Sequence, residues 1–463
     1  MSGYFSDADI KSISAAYPSG RLFLEGPARL SEDALRALQE QRFLTLMARG
    51  WQVEFYRRRW REAGLEPGDI TKLSDLSKVP TYSKTDIMQS IEANPPFGDF
   101  HGVDFSDHDR PNVVLHTTSG TTGEPQPLLF GAADREIQNA LLARTYLLQG
   151  LRHDDVVQSV YGFGMINGGH YIREAILHFT KALLLPTGTG LETSSKQQIH
   201  LMKYFKSTVL VGFVDYLKRL ASTCEELGLS PQEDLSIRMI SCHLGQEDRG
   251  LISGLWGGAE IFDWYGVGDT GVVAAEGPTQ NGLHIWEDAH ILEILDQQTE
   301  QPLPNGEEGD VCLTVLFKKS VYPIIRFNTH DVSRILSADI NSGINFRRIP
   351  GFLGRSDNMV KLRGINVFPT AIGALLDRID GLVGEYVCQV VRGEGREELV
   401  VKAEVTVPGR VNDDGLREKV SAILRQALNV SVIIELVDPG ATAELSEINR
   451  RQKPIRLLPT VSK

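Results

Sequence analysis

The residues from His116 to Gln126, HTTSGTTGEPQ, form the segment whose side chains could do the most chemistry. They follow the apolar run at 113–115, which predicts a buried strand. A strand that leads into small hydroxyl-bearing residues and glycines presents N–H and O–H donors to one point, as a polyphosphate requires. Gly120 and Gly123 lack a Cβ and would let the backbone approach such a ligand closely. The pattern predicts a phosphate-binding loop, with a flexible surface linker as the alternative.

This loop differs from the Walker A loop, because GxxxxGK[ST] is absent and no lysine lies within it. Four more motifs follow it: WYGVGDTG (264–271), RFNTHDVSRI (326–335), GRSDNMVKLRGINVFP (354–369) and QKPIR (452–456). Taken alone, an aspartate such as Asp331 is usually a turn or surface residue, and a lysine in a basic tail, such as Lys453, is usually solvated. The occurrence of all five motifs in this order along the chain distinguishes them from chance matches.

Apolar runs and helical patterns alternate in the first half of the chain, which predicts an α/β fold of mainly parallel sheets covered by helices. We expect strands at 156–160, 182–185, 209–213, 237–241 and 261–265, and helices at 31–65, 134–150 and 190–227. After about residue 283 the pattern becomes β-rich with turns between the segments. This change indicates an antiparallel or barrel-like subdomain over about 283–355.

A boundary is predicted at the segment GRSDN, residues 354–358. It would separate a large N-terminal domain, 1–355, from a small mobile α+β domain, 356–463. Within the small domain we expect a helix from about 370 to 379, a strand at 400–407, a helix with one apolar face at 416–427 and a strand at 430–437. The basic tail from residue 446 is expected to hold no regular element.

The amino-acid composition disfavours several classes of function. A chain of 463 residues is too long for one hydrophobic core, and its 41% hydrophobic and 23% charged residues are typical of a soluble globular protein. The net charge of −12 disfavours a nucleic-acid partner. Four cysteines without CxxC spacing disfavour a disulfide framework or a zinc site and favour a cytoplasmic location. With no signal pattern and no run of 18 apolar residues, we expect no membrane association.

Taken in order, the five motifs resemble those of the adenylate-forming superfamily, which includes acyl- and aryl-CoA synthetases, luciferases and the adenylation domains of peptide synthetases. Within it the chain looks most like the phenylacetate–CoA ligase branch, on the features His116, YGFG (161–164), Gly168-Gly169, GLHIWED (282–288) and GINVFP (364–369). Such enzymes attach AMP to a carboxylate, release pyrophosphate and let a nucleophile displace AMP. The resemblance implies ATP, Mg²⁺ and, as second substrate, CoA.

The resemblance also implies roles for individual residues. The β- and γ-phosphates of ATP would be held by Thr118, Ser119, Gly120, Thr121, Thr122 and Gly123. The rest of the nucleotide would be held by Asp331 on the ribose hydroxyls, Arg355 on the ribose or phosphates, and Gly245, Gln246, Glu247, Tyr265 and Gly266 around the adenine. Asp269 would hold Mg²⁺ together with phosphate oxygens. Lys453, in one segment with Arg456, would reach the α-phosphate and the substrate carboxylate.

Asp357 falls at the hinge position of the superfamily, where the small domain rotates between the two half-reactions. One face of that domain would bring Lys453 to the site for adenylation. The other face would bring the segment that begins at Lys361 for acyl transfer.

Three positions depart from the superfamily pattern. Gln126 stands where many members have a lysine, Gly268 replaces a threonine whose hydroxyl helps to bind phosphate, and Asp269 replaces a glutamate. Because aspartate is one methylene shorter, Mg²⁺ binding would require a closer backbone, which Gly268 would permit.

The acid pocket implied by the resemblance contains Tyr161, Phe163, Met165 and Phe213, which suit a flat aryl or cinnamyl-type acid. Asn167 and His170 would orient a ring substituent, and Gly268 would border the acid. Each of the aromatic residues could equally belong to the ordinary core. Since no aspartate is clearly placed to bind an α-amino group, an amino acid is a less expected substrate.

The leading hypothesis is therefore an ATP-dependent, AMP-forming aryl-acid–CoA ligase acting as a monomer or homodimer. A second hypothesis keeps the adenylation step but changes the acceptor to a carrier-protein thiol or an amine. In a variant of it, the activated group is not a carboxylate but nitrite, which then reacts with an aryl amine. A third reading, based on the altered YGVGD motif, is a non-catalytic nucleotide-binding homologue.

Overall fold

The structure is a computed structural model, and it describes residues 3–118, 125–356, 360–362, 365–393, 396–448 and 454–462, with the backbone alone for 361, 365, 366, 393, 396, 397 and 462. The strands are β1 (Val113–Thr117), β2 (Pro127–Gly131), β3 (Val156–Ser159), β4 (Leu183–Pro186), β5 (Val209–Phe213), β6 (Met239–His243), β7 (Glu260–Val267), β8 (Gly271–Glu276), β9 (Leu283–Ile285), β10 (His290–Leu295), β11 (Gly309–Val315), β12 (Ile324–Ser333), β13 (Arg348–Ile349), β14 (Gly354–Arg355), β15 (Val360–Leu362), β16 (Ile365–Val367), β17 (Leu382–Gly393), β18 (Arg396–Val405), β19 (Ile433–Val437) and β20 (Leu457–Ser462).

The α-helices are α1 (Tyr4–Asp7), α2 (Ile10–Ala16), α3 (Gly20–Glu25), α4 (Glu32–Gly50), α5 (Glu54–Glu62), α6 (Lys84–Ala93), α7 (Ala132–Leu148), α8 (Asn167–Phe179), α9 (Ser195–Tyr204), α10 (Val214–Glu226), α11 (Pro231–Asp234), α12 (Arg249–Leu255), α13 (Ile372–Leu376), α14 (Asp414–Leu428) and α15 (Ala443–Ser446). Short 3-10 helices occur at Pro27–Arg29, Leu73–Lys78, Ile340–Ser342, Pro369–Ala371 and Arg410–Asn412.

The central sheet has the strand order β13-β9-β8-β7-β6-β5-β3-β4. The strands β4, β3, β5, β6 and β7 are parallel, and β8, β9 and β13 extend the sheet in antiparallel fashion. The strands β5 and β6 are buried along nearly their whole length, as expected for parallel strands covered on both faces. The predicted α/β class is therefore confirmed, and all five predicted parallel strands are present within two residues of their expected bounds.

Two local predictions differ from the structure. The region 190–227, predicted as helical throughout, is α9 and α10 with β5 between them, because the apolar run at 209–213 pairs with β3 and β6. The run at 113–115 does form a strand, β1, but it is partly exposed and pairs with β2 alone in a separate two-stranded sheet. The segment expected to bind phosphate thus connects the two strands of a hairpin, since Thr117 lies opposite Pro127.

The β-rich segment predicted after residue 283 contains a four-stranded antiparallel sheet with the order β10-β11-β12-β14. Two register shifts interrupt the pairing of β11 with β12. Near the end of β12, His330 has a positive φ of 57°. Such irregularities re-aim side chains locally, and this one immediately precedes Asp331.

Residues from 360 onward build a second sheet, β19-β18-β17-β20, with a hydrophobic core of its own around Tyr386, Val401, Val420 and Leu424. The predicted strand–helix–strand pattern is present as β18, α14 and β19. The expectation of a tail without regular elements is wrong, because α15 lies at 443–446 and β20 pairs in parallel with β17. This pairing depends on a distant partner strand, so the local sequence of the tail does not reveal it.

All four cysteines are buried free thiols. Of the helices that the structure describes, none combines the length and the apolar character needed to cross a bilayer.

Candidate functional site

The ribose-binding residues predicted from the sequence lie together. Asp331 on β12 and Arg355 on β14 are direct cross-strand partners, and Arg355 Nη1 donates to Asp331 Oδ1 at 2.9 Å. The other carboxylate oxygen, Oδ2, accepts a 2.8 Å hydrogen bond from the hydroxyl of Tyr265 on β7. Burial, followed by the charge of Asp331, raises the pKa of Tyr265, so its hydroxyl remains a donor. The arrangement fixes the carboxylate between an arginine and a tyrosine.

The turn predicted to contact adenine follows β6. Its backbone is held from β7, because Asp263 Oδ1 accepts hydrogen bonds from the N–H groups of Leu244 and Trp264, both at 2.8 Å. Burial, followed by repulsion from Glu276, raises the pKa of Asp263 to about 7. Gly245 adopts a positive φ of 59° in this turn, and Gln246 donates to the backbone carbonyl of Leu353.

Asp269 lies at 4% exposure between β7 and β8. Its Oδ1 accepts hydrogen bonds from Gln126 Nε2 at 2.7 Å and from the Tyr322 hydroxyl at 3.2 Å, which leaves Oδ2 without a side-chain donor among the described residues. Burial raises its pKa, while the nearby charge of Lys318 acts in the opposite direction. Gln126, the first of the three departures, is therefore a direct partner of Asp269.

Lys318 is fully buried beneath Asp269. Its Nζ donates to the backbone carbonyl of Leu129 at 3.2 Å, lies 3.5 Å from the carbonyl oxygen of Asp269 and faces the rings of Phe130 and Tyr322 at 4.8 and 4.5 Å. Burial lowers its pKa to about 8. Lys318 and Tyr322 were not predicted from the sequence, although two adjacent lysines inside the apolar stretch VLFKKSVYPII were a visible signal.

Glycines make close approach possible around Asp269. A Cβ on Gly266 would lie 2.5 Å from the carbonyl oxygen of Gly271, and a Cβ on Gly268 would lie 3.0 Å from Leu128 Cδ1. A threonine at position 268 would therefore press against β2. The two departures in YGVGD, Gly268 and Asp269, therefore lie where the chain packs closely against β2 and β8.

An aromatic wall lies at the carboxyl ends of the parallel strands. Tyr161 follows β3, Phe213 ends β5, His243 ends β6 and Trp264 lies on β7. Their ring centroids are 4.6 Å apart for Tyr161 and Phe213, 5.3 Å for Phe213 and His243, and 4.0 Å for His243 and Trp264. His243 Nδ1 donates to the backbone carbonyl of Trp264 at 2.9 Å, which fixes the ring. Tyr161 and Phe213 were predicted as pocket residues from the sequence, whereas His243 and Trp264 were not.

A second aromatic group surrounds the start of α8. His170 contacts Phe163 and His116, with centroids 5.2 and 5.0 Å apart, and its Nε2 donates to the Gly164 carbonyl at 3.0 Å. Burial, with the charge of Arg135, lowers the pKa of His116 to about 4, so this ring is neutral.

The remaining members of the predicted acid pocket differ in environment. Asn167 Oδ1 accepts from Arg135 Nη1 at 2.5 Å, so the amide is oriented by a buried arginine rather than left to turn toward a ligand. Met165 is 52% exposed.

Several predicted residues lie outside the described part of the chain: Ser119, Gly120, Thr121, Thr122, Gly123, Asp357, Lys453 and the side chain of Lys361. Thr118 is described, and its N–H donates to the Gln126 carbonyl at 3.0 Å. Arg456 is not brought to Asp331 and Arg355. Its guanidinium instead binds Glu385 at 2.8 Å, the Tyr386 carbonyl at 2.8 Å and Asp215 at 3.5 Å.

Comparison with known proteins gives the family. The AMP-binding enzyme C-terminal domain matches residues 364–453. The phenylacetate–coenzyme A ligase of Thermus thermophilus is 30% identical over 443 residues, covering 89% of this chain and 94% of that protein.

Among solved structures, 2-hydroxyisobutyryl-CoA ligase in the postadenylation state, in complex with R3-HIB-AMP, is 25% identical, with a TM-score of 0.80 over 92% of this chain and 89% of that one. The same ligase with 2-HIB-AMP and CoA in the thioesterification state is also 25% identical, with a TM-score of 0.67 over 94% and 91%. The chain therefore belongs to the phenylacetate–CoA ligase-like branch of the adenylate-forming superfamily and is an AMP-forming ligase.

Proposed function

We propose that this ligase activates an aryl or cinnamyl-type acid as its acyl-adenylate and transfers the acyl group to CoA. The observation that carries the proposal is the aromatic wall of Tyr161, Phe213, His243 and Trp264 at the carboxyl ends of adjacent parallel strands. Ligands of open α/β sheets bind at this edge. Flat, partly fixed rings offer an acid with an aromatic ring offset-stacked and edge-to-face contacts.

In the first half-reaction, a carboxylate oxygen of the acid attacks the α-phosphorus of ATP, and pyrophosphate leaves with the electrons of the broken P–O bond. The residues of this chain contribute position and charge. Asp331, held by Tyr265 and Arg355, would accept hydrogen bonds from the ribose hydroxyls. In the second half-reaction, the CoA sulphur attacks the acyl carbon, and AMP leaves with the oxygen that it received from the acid.

The surroundings of Asp269 fit a divalent cation held by one carboxylate and substrate phosphates. No group of three or more His, Cys, Asp or Glu side chains placed to hold a metal occurs among the described residues. Among the described residues Asp269 Oδ2 has no side-chain donor, while Gln126 and Tyr322 orient the carboxylate through Oδ1. Bound Mg²⁺ would supply charge neutralisation on the phosphates.

The proposal includes residues whose roles are predicted from the sequence alone. Thr118 to Gly123 would hold the phosphates, Lys453 would neutralise charge between the acid and the α-phosphate, and Asp357 would act as the hinge. The boundary between the two domains would then lie at 355/356.

Pyrophosphate exchange into ATP, measured over a panel of benzoates, phenylacetates, cinnamates and short aliphatic acids, tests the proposal. We expect exchange with the aryl or cinnamyl acids and a KM for the preferred acid about tenfold higher in Phe213→Ala, since an aromatic contact contributes roughly 1 kcal/mol or more. Tyr204→Ala, at an exposed aromatic side chain, is the matched control. Preference for the aliphatic acids, or an unchanged KM in Phe213→Ala, would contradict the proposed substrate class.

A further inference from the structure

A partly buried group of three charged side chains joins the turn after β6 (residues 244–247, the adenine turn) to the C-terminal unit (the described residues from 360 onward). Lys218 on α10 places its Nζ 2.9 Å from Glu247 Oε2 and 2.5 Å from Asp377 Oδ2. The three side chains are between 11% and 24% exposed. Burial by itself would lower the pKa of Lys218, but the two carboxylates outweigh burial and raise it. The two carboxylates therefore favour the charged form of the lysine.

Two further pairs cross between the same parts of the molecule. Arg378 Nη2 lies 2.8 Å from Asp248 Oδ2, and Arg456 Nη2 lies 3.5 Å from Asp215 Oδ1. The arginine of the first pair is 61% exposed, and exposed pairs contribute little. The Lys218 cluster and the Arg456–Asp215 pair are both less exposed than this, and the Lys218 cluster has the shorter separations, 2.9 and 2.5 Å against 3.5 Å.

The arrangement that these pairs hold corresponds to one stage of the reaction. The TM-score falls from 0.80 for the postadenylation state of 2-hydroxyisobutyryl-CoA ligase to 0.67 for its thioesterification state, although the covered share of this chain is similar, 92% and 94%. Since the sequence identity is 25% in both comparisons, the difference lies in how the parts of the molecule are arranged. The Lys218–Asp377 contact belongs to the postadenylation-like arrangement.

Glu247 allows the contact between Lys218 and Asp377 to break without leaving Lys218 unpaired. Removing one partner of an ion pair that is withdrawn from water usually leaves an uncompensated charge, which is destabilising. When the C-terminal unit turns away and Asp377 leaves, Lys218 keeps the carboxylate of Glu247. The cation therefore stays compensated in both arrangements.

We propose that Lys218 is a positioning residue that holds the C-terminal unit in the adenylation orientation by bridging Glu247 of the adenine turn and Asp377. This inference rests on the proposed function, because it assigns the cluster to one of two successive half-reactions. Lys218 acts through the orientation of the unit that carries Lys453 and does not itself touch the reacting atoms.

Separate assays of the two half-reactions test this inference. In Lys218→Gln and in Asp377→Asn we expect the rate constant of pyrophosphate exchange to fall on the order of tenfold, a coupling of typical size between two conformations. Thioester formation from CoA and chemically prepared acyl-adenylate should stay at the wild-type rate or rise. Lys203→Gln, which breaks the Lys203–Asp234 pair within the N-terminal part, is the matched control and should leave both rates unchanged.

Asp377→Asn guards against a trivial loss of folding, because it keeps the shape of the side chain and lies away from the nucleotide residues. An equal fall in both half-reactions, or no fall in exchange, would overturn the inference. Absence of exchange in the wild-type protein with every acid would instead refute the proposed function.

A distance measurement tests the orientation without turnover. Dyes on Tyr204→Cys and Val407→Cys, which replace exposed side chains while the native cysteines are buried, report the separation of the two units. We expect Asp377→Asn to broaden or shift the distance distribution. A distribution identical to that of the parent would contradict the proposed role of the cluster.

Discussion

Asp269 shows how a residue that departs from the family pattern keeps a defined environment. Its carboxylate is shorter than the usual glutamate, yet Gln126 and Tyr322 grip one oxygen and the chain around Gly266 and Gly268 packs closely enough to exclude a Cβ at the first of these. We predict that Asp269→Asn lowers the rate of pyrophosphate exchange on the order of 100-fold, because it keeps the hydrogen-bond acceptor but removes the charge. Burial raises the pKa of this acid, so the folded state should not lose stability.

Exchange at saturating Mg²⁺ and thermal unfolding, both compared between Asp269→Asn and wild type, check this prediction. If the variant exchanged pyrophosphate at the wild-type rate, Asp269 would have no role in the reaction. A large drop in unfolding temperature together with lost activity would show that the carboxylate serves the fold.

Lys318 gives the site a measurable pH signature. Its pKa is lowered from 10.5 to about 8 by burial, so the unfolded chain binds this proton more tightly than the folded chain. The cost of burying the charge is fully present below pH 8 and disappears as the pH rises from 8 toward 10.5. We predict that the unfolding free energy of the wild type rises relative to Lys318→Met over this interval, by up to about 3 kcal/mol.

Denaturant unfolding of both proteins at a series of pH values measures the difference, in which other titrations cancel. The exposed substitution Lys203→Met is the control and should track the wild type. Parallel curves for the wild type and Lys318→Met would show that the lysine retains its ordinary affinity for the proton.

At the scale of elements, the parts predicted well were those whose residues carry their own signal. The run VLVGF at 209–213 is a strand in the structure because its apolar side chains serve both faces of a covered sheet. The strands β17 and β20 were missed because their pairing depends on partners elsewhere in the chain. The ribose pair Asp331 and Arg355 was predicted from motifs, but Lys318 and His243 lie outside the motifs. For Lys318 the sequence signal was a pair of lysines within an apolar stretch, whereas His243 is identified by its packing.

β20 should be necessary for the C-terminal sheet. It covers the edge of β17 in parallel pairing, and Arg456 just before it lies over the Tyr386 ring at 4.5 Å. We predict that deleting residues 457–463 speeds amide hydrogen exchange along β17 and lowers the unfolding temperature of this unit, while exchange in β5 and β6 stays unchanged. Protection of β17 equal to that of the full chain would show that the edge does not need its partner.

At the scale of the whole molecule, the C-terminal sheet has a hydrophobic core separate from those of the larger part, and a small set of ion pairs joins the two parts. The central sheet gathers the aromatic wall, the adenine turn and Asp269, while the C-terminal sheet has its own core and meets the larger part through Lys218, Arg378 and Arg456. The order of motifs predicted which distant residues assemble. It did not predict the ion pairs, because these depend on how the C-terminal sheet is placed against the larger part.

The most direct test of the account uses acid labelled with ¹⁸O in its carboxylate, incubated with ATP, Mg²⁺ and CoA. If the carboxylate attacks the α-phosphorus and CoA then displaces AMP, one ¹⁸O atom must appear in each AMP released alongside the acyl-CoA. Mass spectrometry of the AMP reads this transfer. Unlabelled AMP, or label in inorganic phosphate, would contradict an acyl-adenylate route.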